Sequence, residues 1–512
     1  MRLGIDFGTT RTVAAAADRG NLPVVFFEDP LGDSHDHLPS VVALDERGQL
    51  VGGWRAEEAA RAGRPAVRSF KRLLADPGAT GGEPIRLGER TATLAEVLQA
   101  FARELVRALR EDSTLGAGPD EPLEAAVGVP AHAHSAQRLL TLDAIRRAGI
   151  EPIALVNEPS AAAFEFSHRH ARALSSRRTS VLVYDLGGGT FDASLVRVDG
   201  PDHVIEATTG LNRLGGDDFD VELARLAAES AGAELGELDP AARERLLVDA
   251  RVAKEGIAPQ SRRLLLEAGE ASATVPVAAF YAQAAPLVER TVDAIRPVLG
   301  GADAGALADG EIAGIYLVGG ASGLPLVPRM LRERFGRRVH RSPHPGASTA
   351  IGLAIAVDPG SPFTLRDRLG RGIGVFRERD AGRGVAFDPL IPPGAPLGGD
   401  GALEVERRYR AAHSIGFFRF VEFARLDGDG EPRGDLVPLA EVLVPFDAEL
   451  ADGRPLEDLP VERREDGPLV EERIRIDEHG VASIRIEAPE LGIVVERQAP
   501  LAASAVPQPS GG

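Results

Sequence analysis

Two stretches of the chain set the same residue types in the same order. Residues 3 to 14 read LGIDFGTTRTVA and residues 181 to 196 read VLVYDLGGGTFDASLV. In each, an apolar run ends at an aspartate (Asp6, Asp185), passes through a turn of small residues (Gly8, Thr9 and Thr10; Gly187, Gly188, Gly189 and Thr190) and resumes as a strand. Glycine-rich turns leave backbone amides bare, so they can cradle phosphate oxygens. A hydroxyl there donates to the same oxygens, and a carboxylate at the strand end can hold Mg²⁺ through water. A single such turn is ordinary hairpin chemistry. Two of them, each led by Asp, imply a duplicated fold with two phosphate-binding hairpins facing one nucleotide. Neither stretch is Gly-x-x-x-x-Gly-Lys-Ser/Thr or Gly-x-Gly-x-x-Gly, which disfavours a P-loop or a dinucleotide site.

Lysine stands at positions 71 and 254 and nowhere else, although the chain carries 58 basic residues. A chain that writes arginine almost everywhere keeps lysine where a compact ammonium is needed and a planar guanidinium does not fit. Lys71 and Lys254 are therefore candidate site residues. Glu158 opens the run EPSAAAFEF, where it compensates a helix dipole or does chemistry, and Pro159 suits a first helical turn. His35 and His37 could pair on a metal, but a site needs third and fourth ligands that the sequence does not supply, so both read as solvated loop residues.

The elements that must position these residues follow from the apolar periodicity. Residues 1 to 52 alternate short strands and turns, with HLPSVVAL as a Pro-broken extended segment. From Trp54 to Leu74 the pattern is helical, stopped by Pro77 and Gly78. Residues 94 to 111 form an amphipathic helix with Leu94, Val97, Leu98, Phe101, Leu105, Val106 and Leu109 on one face. From residue 125 the chain reads strand, loop, helix, strand, and then the helix opened by Glu158. Beyond about residue 365 the helical period gives way to short β-rich runs of the kind found in a β-sandwich. The clearest hairpin sets Ile474 and Ile476 against Ile484 and Ile486 across DEHG. Phe417, Phe418, Phe420 and Phe423 crowd one strand and read as sandwich core rather than a peptide cleft.

Composition sets bounds on function. A chain of 512 residues needs two or three domains. A net charge of −19 argues against nucleic acid or an anionic membrane surface as partner, and the absence of cysteine excludes disulfides and thiolate metal sites. The first strand begins at the N-terminus and no long uncharged apolar span occurs, so a cytoplasmic protein without a signal peptide is expected.

The duplicated hairpins fit the actin-like plan of two α/β lobes closing on a nucleotide. IDFGTT, VGVP with Gln137-Arg138, NEPSAAA, YDLGGGTFD, GLNRLGGDDFD, IYLVGGASGLP and HPGASTAIGLA, in this order, resemble the ATPase domain of the heat-shock protein 70 (DnaK-type) chaperone family over about the first 355 residues. The resemblance implies an actin-like domain over 1–358, a linker over 359–364, a β-sandwich over 365–500 that resembles the family's substrate-binding domain more weakly, and a disordered tail over 501–512 without the family's helical lid. It implies ATP or ADP with Mg²⁺ as ligands. Gly8, Thr9, Thr10, Gly187, Gly188, Gly189 and Thr190 would hold the phosphates, and Asp6 and Asp185 the water shell of Mg²⁺. Lys71 and Glu158, with Asp192, would orient the attacking water. Gly215, Gly216, Lys254, Gly319, Gly320 and Ser322 would surround the sugar and base, while Pro130 and Arg138 match positions that relay nucleotide state to the peptide-binding domain.

There are departures. The family's adenosine-binding helix keeps Glu, Lys, a basic residue and Ser; here these positions are Arg251, Lys254, Glu255 and Ala258, and the base-stacking Arg is Gly323. Gly346 replaces an Asp near the ribose, and the linker lacks the family's leucines, which implies weakened coupling between domains. Two functions follow. The first is an ATP-hydrolysing chaperone that binds polypeptide clients and works with a J-domain protein and a nucleotide exchange factor. The second is a nucleotide-responsive adaptor that binds one dedicated partner with little turnover.

Overall fold

The computed structural model describes residues 1–512 except 77–78, 131–132, 200–201, 212, 269–270, 300–311, 362–363, 367–368, 398–402, 451–454 and 499–512. Pro77, Gly78 and the expected tail over 501–512 lie outside the described residues.

Two mixed sheets repeat one plan. In the first lobe the strand order is Ile150–Asn157, Leu123–Val129, Arg2–Phe7, Arg11–Ala16, Leu38–Pro39. In the second it is Val339–Arg341, Ile312–Val318, Ser180–Leu186, Phe191–Asp199, Asp202–Leu211, Thr364–Arg366. Each sheet thus has an Asp-led hairpin flanked by parallel strands on the side of its first strand. Asp6 lies opposite Val13 in one hairpin, and Asp185 opposite Asp192 in the other. The fold class is α/β of the actin-like kind followed by an all-β sandwich.

The helix Glu158–Arg169 lies between the lobes. Ala161 packs with Leu353 and Val357 of the helix Ser348–Val357 on the first lobe's side, and Ala162, Ala163 and Phe166 pack on Val181, Val183 and Tyr316 of the second. A Cβ at Gly352 would fall 1.8 Å from the Ala161 carbonyl oxygen, so only glycine lets these two helices cross this closely. The helix Leu94–Glu111 forms as its periodicity predicts, with Thr93 and Glu96 closing a capping box.

The region from Trp54 to Leu74 departs from the expected single helix. Helix covers only Gly53–Arg61; Ala66–Arg68 is a strand paired with Val41–Ala43, and Phe70–Ala75 is a separate 3₁₀ turn. Long-range pairing with a neighbouring strand overrides the local apolar spacing here.

Two four-stranded antiparallel sheets make the C-terminal sandwich, one of Gly384–Ile391, Gly372–Arg379, Ile415–Leu426 and Pro432–Pro445, the other of Leu403–Arg410, Leu469–Ile476, Ala482–Ala488 and Ile493–Gln498. Ile474 pairs with Ile484, while Ile476 faces Ala482 and Ile486 faces Glu472. Phe418, Phe420 and Phe423 are buried, whereas Phe417 is 51% exposed under the Arg419 guanidinium. Inside the sandwich, buried Glu472 accepts from both terminal nitrogens of Arg377 at 3.0 Å and from the Tyr409 hydroxyl at 2.7 Å.

Candidate functional site

The two glycine turns meet across a cleft of about 940 Å³ between the lobes. Contact is so close that a Cβ at Gly188 would lie 2.1 Å from Thr10 Oγ1, and one at Gly189 2.7 Å from the Thr9 methyl. Asp6, Gly8, Thr9, Thr10, Lys71, Glu158, Asp185, Gly187, Gly188, Thr190, Gly216, Lys254, Gly319 and Gly320 all line the cleft. Gly189, Asp192, Gly215 and Ser322 stand behind that lining. Gly215 backs the turn at Gly188 and Gly189, Ser322 Oγ donates to the Gly319 carbonyl at 2.7 Å, and buried Asp192 is hydrogen-bonded by the Thr190 side chain. Gly319 has φ +81, and a Cβ there would sit 2.3 Å from an Asp185 carboxylate oxygen, so the glycine makes room for that carboxylate.

Lys71 reaches the site from the 3₁₀ turn Phe70–Ala75, which Phe70 anchors against Phe7 and Phe101. Its Nζ donates to Glu158 Oε1 at 2.8 Å, and both side chains are largely buried. Glu158 stands at the start of its helix and is brought in by the strand Ile150–Asn157. Asp6, Asp185 and Asp192 face the same pair. Burial, then repulsion from Glu158, pushes Asp6 and Asp192 up to about 7, with Lys71 partly offsetting both. Asp185 is pushed well above the carboxylate range by burial, then by Glu158, Asp6 and Asp192. Four carboxylates around one ammonium leave uncompensated negative charge in a buried site, the electrostatic setting that a hard divalent cation with oxygen ligands fits.

Several cleft residues escaped the sequence reading. Ser69 Oγ donates to Asp217 at 2.9 Å, and Arg72 donates to the Gly189 carbonyl at 2.9 Å, with Asp217 and Asp218 each 3.6 Å away. Arg11 pairs with Glu255 across the cleft. The one available signal was the doubled aspartate after Gly215-Gly216; Gly216 N and Asp217 N donate to the Gly187 and Gly188 carbonyls at 2.9 and 2.7 Å. His35 and His37 bond Asp29 and Asp36 and pack on Trp54, and among the described residues no three His, Asp or Glu side chains converge as direct ligands of one metal ion, which leaves contact through water as the way the cleft carboxylates would meet a cation.

A family model described as Hsp70 protein matches residues 100–367. The chain belongs to the Hsp70 family. Among curated relatives of this Hsp70-family chain, a chaperone protein HscA homolog of Bordetella petrii is 34% identical over 400 residues, 73% of this chain and 62% of its own length. One of Cupriavidus necator is 33% identical over 402 residues, 73% of this chain and 62% of its own. One of Bordetella pertussis is 35% identical over 374 residues, 69% and 57% respectively. The chain thus spans less than two thirds of the length of these relatives.

The departures from the Hsp70 pattern have a local structure. Lys254 Nζ is buried, 2.6 Å from Asp220 and donating to the Gly216 carbonyl at 2.8 Å. Arg251 pairs with Asp217 at 3.1 Å and Asp220 at 3.3 Å. The helix that would face the sugar and base is therefore occupied by ion pairs of its own lobe and, at Glu255, with the other lobe.

The β-sandwich sits against the first lobe. Glu422 accepts from Ser135 N at 3.0 Å and Ser135 Oγ at 2.7 Å, at the start of the helix Ser135–Ala148. Arg138 joins the Asn157 side chain at 2.8 Å to the His479 carbonyl at 3.1 Å, and Val481 packs into the first lobe's core. Burial holds His134, beside Glu422 and Arg371, below the usual imidazole range. Arg371, Ala424 and Val437 of the sandwich line the same cleft as Lys71. The chain between the domains pairs as a strand, Thr364–Arg366 lying parallel to Asp202–Val204. Backbone pairing of this kind needs no leucine side chain.

Proposed function

We propose that this chain binds ATP in the cleft between its lobes, hydrolyses it, and couples the nucleotide to a β-sandwich that holds polypeptide. The observation that carries the reading is the Lys71–Glu158 pair at 2.8 Å, set among Asp6, Asp185 and Asp192 where two bare glycine turns meet. Amides and hydroxyls of Gly8–Thr10 and Gly187–Thr190 bind the phosphates. Lys71 offsets charge on the transferring phosphoryl group, and Glu158 holds Lys71 in place. Asp192, raised to about 7 and fixed by Thr190, accepts the proton of the attacking water as its oxygen bonds phosphorus and the bond to ADP breaks. Asp6 and Asp185 are the residues that would hold Mg²⁺, which supplies neutralisation of phosphate charge when bound.

Domain boundaries belong to the same reading: an ATPase domain over 1–358, a linker over 359–364 and a sandwich over 365–500. The polypeptide client and J-domain partner are inferred from the family. Because Lys254 and Glu255 are already paired, base contacts are thin and ATP binding is weaker and less selective than the phosphate site alone would allow. Calorimetric titration with ADP and ATP, with and without Mg²⁺, tests the assignment. Binding that needs Mg²⁺ and is lost when both Asp6 and Asp185 become Asn supports it; binding unaffected by these changes contradicts it.

A further inference from the structure

A second groove, of about 580 Å³, lies between the helices Leu94–Glu111 and Ser135–Ala148 and the strand Leu50–Gly52. It shares no lining residue with the nucleotide cleft. Its carboxylates are already satisfied. Glu104 is gripped by Arg107 at 2.6 and 3.1 Å, Asp143 by Arg147 at 2.8 Å, and Glu96 closes its own helix cap at 2.7 Å.

Three further arginines on the rim keep charge to spare. Arg55 is 3.6 Å from Glu104, which Arg107 already holds; Arg90 gives one donor to the Gly48 carbonyl at 2.6 Å. Among the described residues no carboxylate stands within ion-pair distance of exposed Arg103. Between them Leu98, Leu140 and Ala144 supply apolar lining, and the buried amide nitrogen of Gln99 has no hydrogen-bond partner. In a chain of net charge −19, arginine charge concentrated around one concavity of ligand size matches an anion with an apolar body.

We propose that this groove is a binding site for a small organic anion bearing two or more carboxylate or phosphate groups. Arg55, Arg90 and Arg103 take the acidic groups, and the apolar lining takes the carbon skeleton. The helix Ser135–Ala148 lines the groove through Leu140, Asp143, Ala144 and Arg147 and holds the sandwich through Ser135 and Arg138, so the ligand touches the element on which the sandwich docks. This site stands independently of the nucleotide reading.

The test is calorimetric titration of the full chain with citrate and, separately, fructose 1,6-bisphosphate. Saturable 1:1 binding of either supports the site, weakens with added salt, and identifies carboxylate or phosphate as the preferred group. The double variant Arg55→Glu/Arg103→Glu should lose at least tenfold in affinity, while Lys71→Met should bind as the parent does. If circular dichroism shows the double variant unfolded, Arg103→Gln replaces it, with at least a threefold loss expected. No binding of either anion at millimolar concentration overturns the proposal, as does binding that Lys71→Met abolishes and the groove variants leave unchanged.

Discussion

Replacing Glu422 by alanine should release the sandwich from the first lobe. The Glu422 carboxylate is 5% exposed and accepts from Ser135 N at 3.0 Å and Ser135 Oγ at 2.7 Å, at the positive end of a helix. A hydrogen bond to a charged group contributes about 1.5–3 kcal/mol, and a carboxylate at a helix N-terminus about 0.3–1 kcal/mol more. Rehydration of the released carboxylate opposes these, leaving a net of about 2–4 kcal/mol. At about 1.4 kcal/mol per factor of ten, the docking equilibrium shifts by about 30-fold to 1,000-fold. Arg138 and Val481 still hold, so the effect is best read across a urea series in which the parent sandwich itself comes away. Small-angle X-ray scattering would report an increased radius of gyration, and limited proteolysis faster cutting near the exposed residues Pro359 and Gly360. Glu422→Gln, which keeps an acceptor and loses the charge, should fall between the two. Identical scattering and cleavage for Glu422→Ala and parent at every urea concentration would show that Glu422 does not hold the sandwich.

Three further outcomes are expected. Gly188→Ala puts a Cβ 2.1 Å from Thr10 Oγ1 and should lower ADP affinity at least tenfold in calorimetry while the unfolding midpoint of the chain stays within a few degrees. Lys254→Met leaves buried Asp220 without its ammonium at 2.6 Å but still beside Arg251 at 3.3 Å, so the cost should stay below the about 3–5 kcal/mol of a wholly unpaired buried charge; thermal unfolding should show the second lobe destabilised, and unchanged stability would make Lys254 a ligand residue instead. Asp6 and Asp192, raised to about 7, bind protons more tightly in the folded than in the unfolded chain, so metal-free stability should fall as pH rises from about 4 to about 7, and Asp185, raised well above its ordinary value, adds to the loss in the same direction. Added Mg²⁺ should recover the loss at pH 8, which chemical denaturation at several pH values would register.

Much of the site was legible because its residues lie in local patterns. Asp6 and Asp185 end strands and precede glycine turns, and the scarcity of lysine pointed to the two positions where an ammonium is buried against a carboxylate, at Lys71 and Lys254. What escaped is long-range. Ala66–Arg68 becomes a strand only because Val41–Ala43 lies beside it, and Ser69 breaks the helical period with φ +51. Arg11 and Glu255 are 244 residues apart, and nothing in either neighbourhood marks them as partners. The contact between sandwich and first lobe was not legible in the sequence, for a chemical reason. It rests on a carboxylate at a helix end, an arginine to a backbone carbonyl and a strand pairing, none of which leaves an apolar signature in the linker.

Hydrolysis of ATP in the cleft, with Lys71 at its centre, is the proposed activity, and single-turnover hydrolysis of radiolabelled ATP by the full chain with excess Mg²⁺ is the decisive measurement. One bound ATP should be converted to ADP and phosphate, with the rate lowered about 10²-fold to 10³-fold in Lys71→Met, the loss that follows when one donor to the developing phosphoryl charge is removed. Conversion at the same rate in both proteins, or none in the parent under conditions where ATP is bound, would contradict it.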